Sequence, residues 1–124
     1  MNSFNVKTHP EGSRLANGTS LTGYIDIGYS ALVELFGDPF EGDGYKVDAE
    51  WNVEFVDEYD TTLGFVTIYN YKDGKNYLAA NGLNVEDIRD WHIGSKSNSD
   101  LYMLEDFLDA ADVEYKSKSK LSWC

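Results

Sequence analysis

The clearest pattern in this chain is an alternation of apolar and polar positions over residues 47–55. Every second position is apolar: Val47, Ala49, Trp51, Val53 and Phe55. Three of the positions between them are acidic: Asp48, Glu50 and Glu54. A two-residue period is typical of a strand with one buried face. We therefore predict a strand that packs one face on the core and presents an acidic face to solvent.

Two other segments have the apolar spacing of a helix. Leu32, Leu35 and Phe36 form a stripe over residues 30–36, with Ser30 as the expected N-cap and Gly37 as the expected end. A second stripe recurs every three or four positions over about residues 99–112, with acidic residues outside it. These patterns predict a short helix and a longer C-terminal helix.

The remaining patterns predict further strands and turns. Strands are expected near residues 24–27 and 63–71, and Asp73-Gly74 is a hairpin signal that leads into residues 76–78. Residues 88–93 fit either a strand, slightly favoured, or a short helix that begins at Asn84. The expected fold is α+β, with a mainly antiparallel sheet of four to five strands and the two helices.

The polar ends of the chain carry no comparable apolar period. Residues 1–19 are expected to form a flexible N-terminal arm, residues 20–114 a single domain, and residues 115–124 a basic flexible tail. The 124 residues are 42% hydrophobic and 15% aromatic, which is too apolar for a disordered acidic chain. Neither a membrane-spanning run nor a signal peptide is visible, so we expect a cytoplasmic protein.

Charge changes this picture from a small domain to a candidate binding protein. The chain has 22 acidic and 10 basic residues, a formal net charge of −12. Such a field repels nucleic acid and acidic membranes and attracts basic surfaces such as DNA-binding clefts, although acids can also serve solubility alone. Two sets of acids are candidate partner-binding residues. The first set is Asp43, Asp48, Glu50, Glu54, Asp57, Glu58 and Asp60; the second is Glu105, Asp106 and Asp109.

The sequence shows no recognisable catalytic, metal-binding or cofactor-binding motif. It has two histidines and one cysteine, Cys124, and it lacks the spacing of a nucleophile elbow, an EF-hand or a phosphate-binding loop. We therefore expect neither an enzyme nor a bound metal or cofactor. Tyrosine is abundant, and aromatic and basic residues meet around the Asp73-Gly74 turn. An alternative site for a small anionic ligand would use Tyr69, Tyr71, Lys72, Lys75 and Tyr77.

Four stretches carry a resemblance. They are YSALVELFGDP over residues 29–39, GDGYKVDAEW over 42–51, TIYNYKDGKNY over 67–77 and WHIG over 91–94. Over about residues 20–95 the chain resembles a group of short uncharacterised proteins encoded by tailed bacteriophages. The resemblance implies a phage accessory protein. That group has no assigned activity, so it supplies no functional residues.

Charge and resemblance together favour an inhibitor of a host protein. Small phage proteins without catalytic motifs often block host defence proteins, and acidic ones often imitate DNA. Carboxylates on one strand face lie about 6.7 Å apart. That spacing is close to twice the roughly 3.4 Å between phosphates of one DNA strand. The hypothesis is an anti-CRISPR or other anti-defence inhibitor that places its acids in a basic cleft and binds no nucleic acid itself. The alternatives are a protein that binds a nucleotide signal and a minor virion or assembly protein.

Overall fold

The structure, a computed structural model, describes residues 5–9, 18–40, 49–71, 74 and 78–119, without the side chains of residues 118 and 119. Within these ranges, six strands and two helices follow one another along the chain. They are β1 (Asn5–His9), β2 (Ser20–Asp26), α1 (Tyr29–Phe36), β3 (Glu50–Val56), β4 (Thr62–Tyr69), β5 (Asp90–Ser95), α2 (Asn98–Ala110) and β6 (Lys116–Ser119). Two short 3₁₀ helices, Ala79–Asn81 and Val85–Asp87, lie between β4 and β5.

The strands form one sheet in the order β1-β3-β4-β5-β2-β6, and every neighbouring pair is antiparallel. The predicted α+β class with a mainly antiparallel sheet is therefore confirmed, with two helices at the expected places. The sheet has one strand more than the upper expectation of five.

Alternation along β3 defines the two faces of the sheet. Trp51, Val53 and Phe55 are fully buried, as predicted, on the face that contacts the helices. There the Trp51 ring lies 5.3 Å from the Trp91 ring, and the Phe55 ring lies 6.1 Å from the Phe107 ring of α2. Trp51 Nε1 also donates a hydrogen bond of 2.9 Å to the carbonyl oxygen of Gly37. The helices and the sheet thus share one aromatic core.

The ends of α1 only partly follow the predicted capping residues. Gly28 occupies the N-cap, and Ser30 lies inside the helix, so the predicted N-cap at Ser30 is wrong. Gly37 ends the helix as predicted: its φ is 82°, and its N–H donates to the carbonyl oxygen of Val33. A positive φ carries no steric penalty in glycine, which explains why this residue ends the helix.

The two ends of the chain differ from expectation. Residues 5–9 pair with β3, and residues 116–119 pair with β2, so the expected arm and tail each supply an edge strand. An edge strand is held by backbone hydrogen bonds along one side, and it needs no alternating apolar side chains. The described parts of the expected arm and tail are therefore strands of the sheet.

The region after β4 also needs correction. The hairpin signal at Asp73-Gly74 predicted a return strand through residues 76–78. Leu78 is the one described residue of that predicted strand, and it precedes the 3₁₀ helix Ala79–Asn81. Gly74 forms a parallel bridge with Leu83. Positions 72, 73 and 75–77 lie outside the described residues. For residues 88–93, the sequence left a strand and a short helix beginning at Asn84 as alternatives. The favoured strand is confirmed as β5, and a 3₁₀ helix, Val85–Asp87, follows Asn84 and precedes that strand.

Candidate functional site

The turn between β3 and β4, residues 57–61, is acidic and fixed by its own hydrogen bonds; we call it the acidic turn. The Asp57 carboxylate oxygen Oδ1 accepts hydrogen bonds from the backbone N–H groups of Tyr59 (2.8 Å) and Thr61 (2.9 Å). The Asp57 N–H donates to the Thr61 carbonyl oxygen, and the Asp60 N–H donates back to Asp57. Asp60 has a φ of 67°, a conformation that aspartate tolerates better than most residues.

The acidic turn presents an aromatic side chain between two acids. Tyr59 is 81% exposed, the most exposed of the large hydrophobic side chains that the structure describes. Glu58 and Asp60 are exposed beside it. The Asp60 carboxylate also pairs with Lys7 of β1 at 2.5 Å. Of the predicted acids in this turn, Glu58 and Asp60 are thus exposed, whereas Asp57 supports the backbone of the turn.

Glu54 does not belong to an exposed acidic face. Its side chain is on the predicted side of β3, but the residue is only 8% exposed. The carboxylate accepts hydrogen bonds from the Thr62 hydroxyl and from His9 Nε2, the latter at 2.8 Å. The Thr62 hydrogen bond lowers the pKa of Glu54 more than burial raises it, and His9 and Lys7 lower it further. The expectation of a solvent-facing carboxylate here is wrong, because the side chains of His9 on β1 and Thr62 on β4 bind the carboxylate from the two neighbouring strands.

The predicted acidic face of β3 is therefore not continuous among the described residues. Asp43 and Asp48 lie outside that part of the chain. Glu50 is half-buried, and its Oε2 accepts a hydrogen bond of 3.1 Å from Asn52 Nδ2. Asn52 itself is 1% exposed. Along β3 this face combines amide and carboxylate groups and does not present a row of evenly spaced exposed charges.

The second predicted patch lies on α2, towards β6. The Tyr115 hydroxyl donates to Asp109 Oδ1 at 2.7 Å, and the Ser117 hydroxyl donates to Glu105 Oε2 at 2.6 Å. Burial and the Asp109 carboxylate both raise the pKa of Tyr115, so its hydroxyl stays protonated. Asp106 is exposed between these two acids.

The acidic turn and the α2 patch are separate surfaces. The acids of the α2 patch bind Tyr115, just before β6, and Ser117 of β6, whereas Asp60 of the acidic turn binds Lys7 of β1. β1 and β6 are the two opposite edge strands of the sheet. The structure therefore does not bring the described members of the two predicted acidic sets together.

On the sheet face opposite the helices, the strand register aligns four residues in one row: Glu50, Tyr69, His92 and Tyr24. The His92 ring contacts three tyrosine rings, at 5.0 Å from Tyr24, 5.5 Å from Tyr69 and 5.7 Å from Tyr71. We call Tyr24, Tyr69, Tyr71 and His92 the aromatic cluster. Burial raises the pKa of Tyr69, as do Tyr24 and Glu50 beside it.

This cluster contains only part of the alternative ligand site predicted from sequence. Tyr69 and Tyr71 come together as that hypothesis requires, whereas Lys72, Lys75 and Tyr77 lie outside the described residues. Sequence reasoning missed Tyr24 and His92 as members of a surface cluster. Their two-residue alternation within β2 and β5 places them opposite the core, but only the strand order shows that the two strands are neighbours.

Within the described ranges, no three His, Cys, Asp or Glu side chains are grouped to hold a metal ion. In the same ranges, neither helix has the length and apolar character needed to cross a bilayer. Comparison with protein-family models, curated proteins and solved structures found no match for this chain.

Proposed function

We propose that this chain is a non-catalytic phage accessory protein that binds a basic nucleic-acid-binding surface of a host defence protein and inhibits it by imitating DNA. The observation that carries the proposal is the acidic turn, which holds the exposed Tyr59 between Glu58 and Asp60. The net charge of −12 makes the whole molecule negative, and a basic partner surface attracts a negative molecule.

The geometry of the turn suits protein recognition. Tyrosine and other large side chains supply much of the binding energy at protein interfaces, and charges around them mainly raise the association rate and select the partner. The two hydrogen bonds to Asp57 Oδ1 fix the turn before binding. A fixed turn loses less conformational entropy when it binds, which favours affinity.

A matched pair of charge variants tests this role of the turn. The test variant combines Glu58→Lys with Asp60→Asn, and the control combines Glu86→Lys with Asp87→Asn. Both change the net charge by the same amount, and the control residues are exposed in the 3₁₀ helix Val85–Asp87. That helix comes just before Asp90, at the end of β5 away from the acidic turn.

The measurement is affinity capture from a bacterial host lysate at low and moderate salt, with mass spectrometry of the retained proteins. We expect the unaltered chain and the control to retain a nucleic-acid-binding protein that added salt releases. The test variant should lose at least about tenfold in affinity, equivalent to about 1.4 kcal/mol. Equal retention by both variants would contradict the role of the turn. Co-purification with intact virions would favour an assembly protein.

A further inference from the structure

A cleft of about 320 Å³ lies beside the aromatic cluster, on the sheet face opposite the helices. Its walls include Tyr69 and Tyr71, and its polar lining includes Glu50, Asn52 and Thr67. Gly94 of β5 is the partner of Thr67 in the sheet register and also lines the cleft. A Cβ atom at position 94 would lie 2.6 Å from the Thr67 hydroxyl oxygen, so the absence of a side chain there leaves the space open.

Two of the side chains that line this cleft, Glu50 and Asn52, carry hydrogen-bond acceptors. The outer one is the Glu50 carboxylate, which Asn52 Nδ2 orients through its 3.1 Å hydrogen bond. The inner one is Asn52 Oδ1, which is buried and accepts no hydrogen bond from any group the structure describes. Asn52 is 1% exposed, so this acceptor is held away from bulk water. A buried acceptor without a donor costs free energy, which a ligand N–H group would recover.

We propose that this cleft binds a planar organic cation, a guanidinium or amidinium group, by stacking on Tyr69 and Tyr71 and donating hydrogen bonds to Glu50 and Asn52. Tyrosine rings attract cations through their negative faces, and planar cations also stack on them. A carboxylate adds charge-assisted hydrogen bonds of a strength that neutral acceptors do not reach. The ligand is either a free small molecule or the arginine side chain of a protein partner.

The ligand proposed here is a cation, whereas the alternative site expected from sequence would bind an anion. No Lys or Arg side chain is among the described residues that line the cleft, and Glu50 is present. The inference is also independent of the inhibitor proposal, because neither Tyr59 nor Glu58 lines the cleft. The failure of one proposal would leave the other standing.

Benzamidine and its neutral isostere benzamide provide a direct test with the full chain. Binding is followed by two-dimensional NMR of the ¹⁵N-labelled protein, including the side-chain amide of Asn52. We expect benzamidine to shift the Asn52 and Tyr71 signals with a dissociation constant of about 1 mM or tighter, and benzamide not to shift them. A short peptide containing arginine is compared in the same way with its neutral citrulline analogue. This comparison tests whether the ligand is the arginine side chain of a protein partner.

Variants locate the site. Glu50→Gln should weaken benzamidine binding about tenfold, because it removes the charge and keeps the shape. Tyr71→Ala, at an exposed rim position, should weaken it as well, whereas Glu86→Gln is the matched control and should leave it unchanged. Binding of either cation but not its neutral analogue supports the proposal. Failure of both cations to bind overturns it, as does equal binding of benzamide or an equal effect of the two glutamine variants.

Discussion

At the scale of single residues, burial decides what an acid in this chain does. Glu54 and Glu58 are close in sequence, yet Glu54 is 8% exposed and Glu58 is exposed. Alternation along β3 correctly predicts the face that the Glu54 side chain occupies. Alternation cannot predict that His9 of β1 binds Glu54, because that depends on which strand pairs with β3. The sequence therefore identifies candidate acids but does not separate structural acids from available ones.

The role of Glu54 predicts how stability depends on pH. Replacing it by glutamine, in Glu54→Gln, should lower the free energy of unfolding by about 1 kcal/mol at pH 7, because charge-assisted hydrogen bonds become neutral ones. The folded state lowers the pKa of Glu54 below its ordinary value of 4.5, so its stabilising effect is present above that pH. The effect is lost as pH falls through the lowered pKa, where both chains carry a neutral side chain.

Denaturant unfolding of the two chains at several pH values between 7 and 2 measures this difference. We expect the difference in the free energy of unfolding between the two chains to narrow steadily below about pH 4.5. Glu34→Gln, at an exposed position of α1, is the control and should differ little from the unaltered chain at any pH. A gap for Glu54→Gln that stays constant down to the lowest pH would show that the carboxylate charge does not stabilise the fold.

At the scale of elements, the central strands and both helices could be predicted from sequence, and the edge strands could not. The strand β3 (Glu50–Val56) and the helix α2 (Asn98–Ala110) bury apolar stripes, which leave a clear period in the sequence. The side chains of β1 and the described side chains of β6 bury little, and half of the residues in β6 are lysine. Their partners, β3 and β2, are distant in sequence, so no local pattern indicates the pairing.

Hydrogen exchange tests whether these edge segments are strands. In an edge strand, alternate N–H groups donate to the neighbouring strand while the others face solvent. We expect alternate amides of residues 5–9 and of residues 116–119 to exchange slowly in the native protein. The comparison is internal, since neighbouring amides of one strand serve as fast-exchanging references. Uniformly fast exchange across either segment would favour the flexible arm or tail that the sequence indicated.

At the scale of the whole molecule, the net charge of −12 affects both stability and binding. Seventeen of the 22 acids lie among the residues whose side chains the structure describes, and the ion pairs described there are Lys7 with Asp60, His9 with Glu54 and Arg89 with Asp26. Most of these carboxylates are therefore not neutralised by an ion pair in that part of the chain. Like charges at this density oppose the compact state.

Salt screening should consequently stabilise the protein. Raising sodium chloride from about 0.01 M to about 0.3 M shortens the screening length several-fold, which weakens the repulsion between exposed acids. We expect the Tm at pH 7 to rise by roughly 2–5 °C. Thermal unfolding followed by circular dichroism checks the shift, and the same titration near the sequence pI of about 4.3 is the control, where the shift should be smaller. A Tm that falls with salt at pH 7 would show that attractive pairs dominate the surface.

Competition with duplex DNA tests the central claim most directly. The protein captured from the lysate is purified and bound to this chain at fixed salt, and unlabelled duplex DNA is then titrated into the complex. If the acidic turn occupies a nucleic-acid-binding surface, DNA should displace the chain, and the chain should in turn prevent the target from binding DNA. The test variant with Glu58→Lys and Asp60→Asn should block DNA binding at least about tenfold less well than the unaltered chain. Simultaneous binding of DNA and this chain to the target would contradict DNA mimicry.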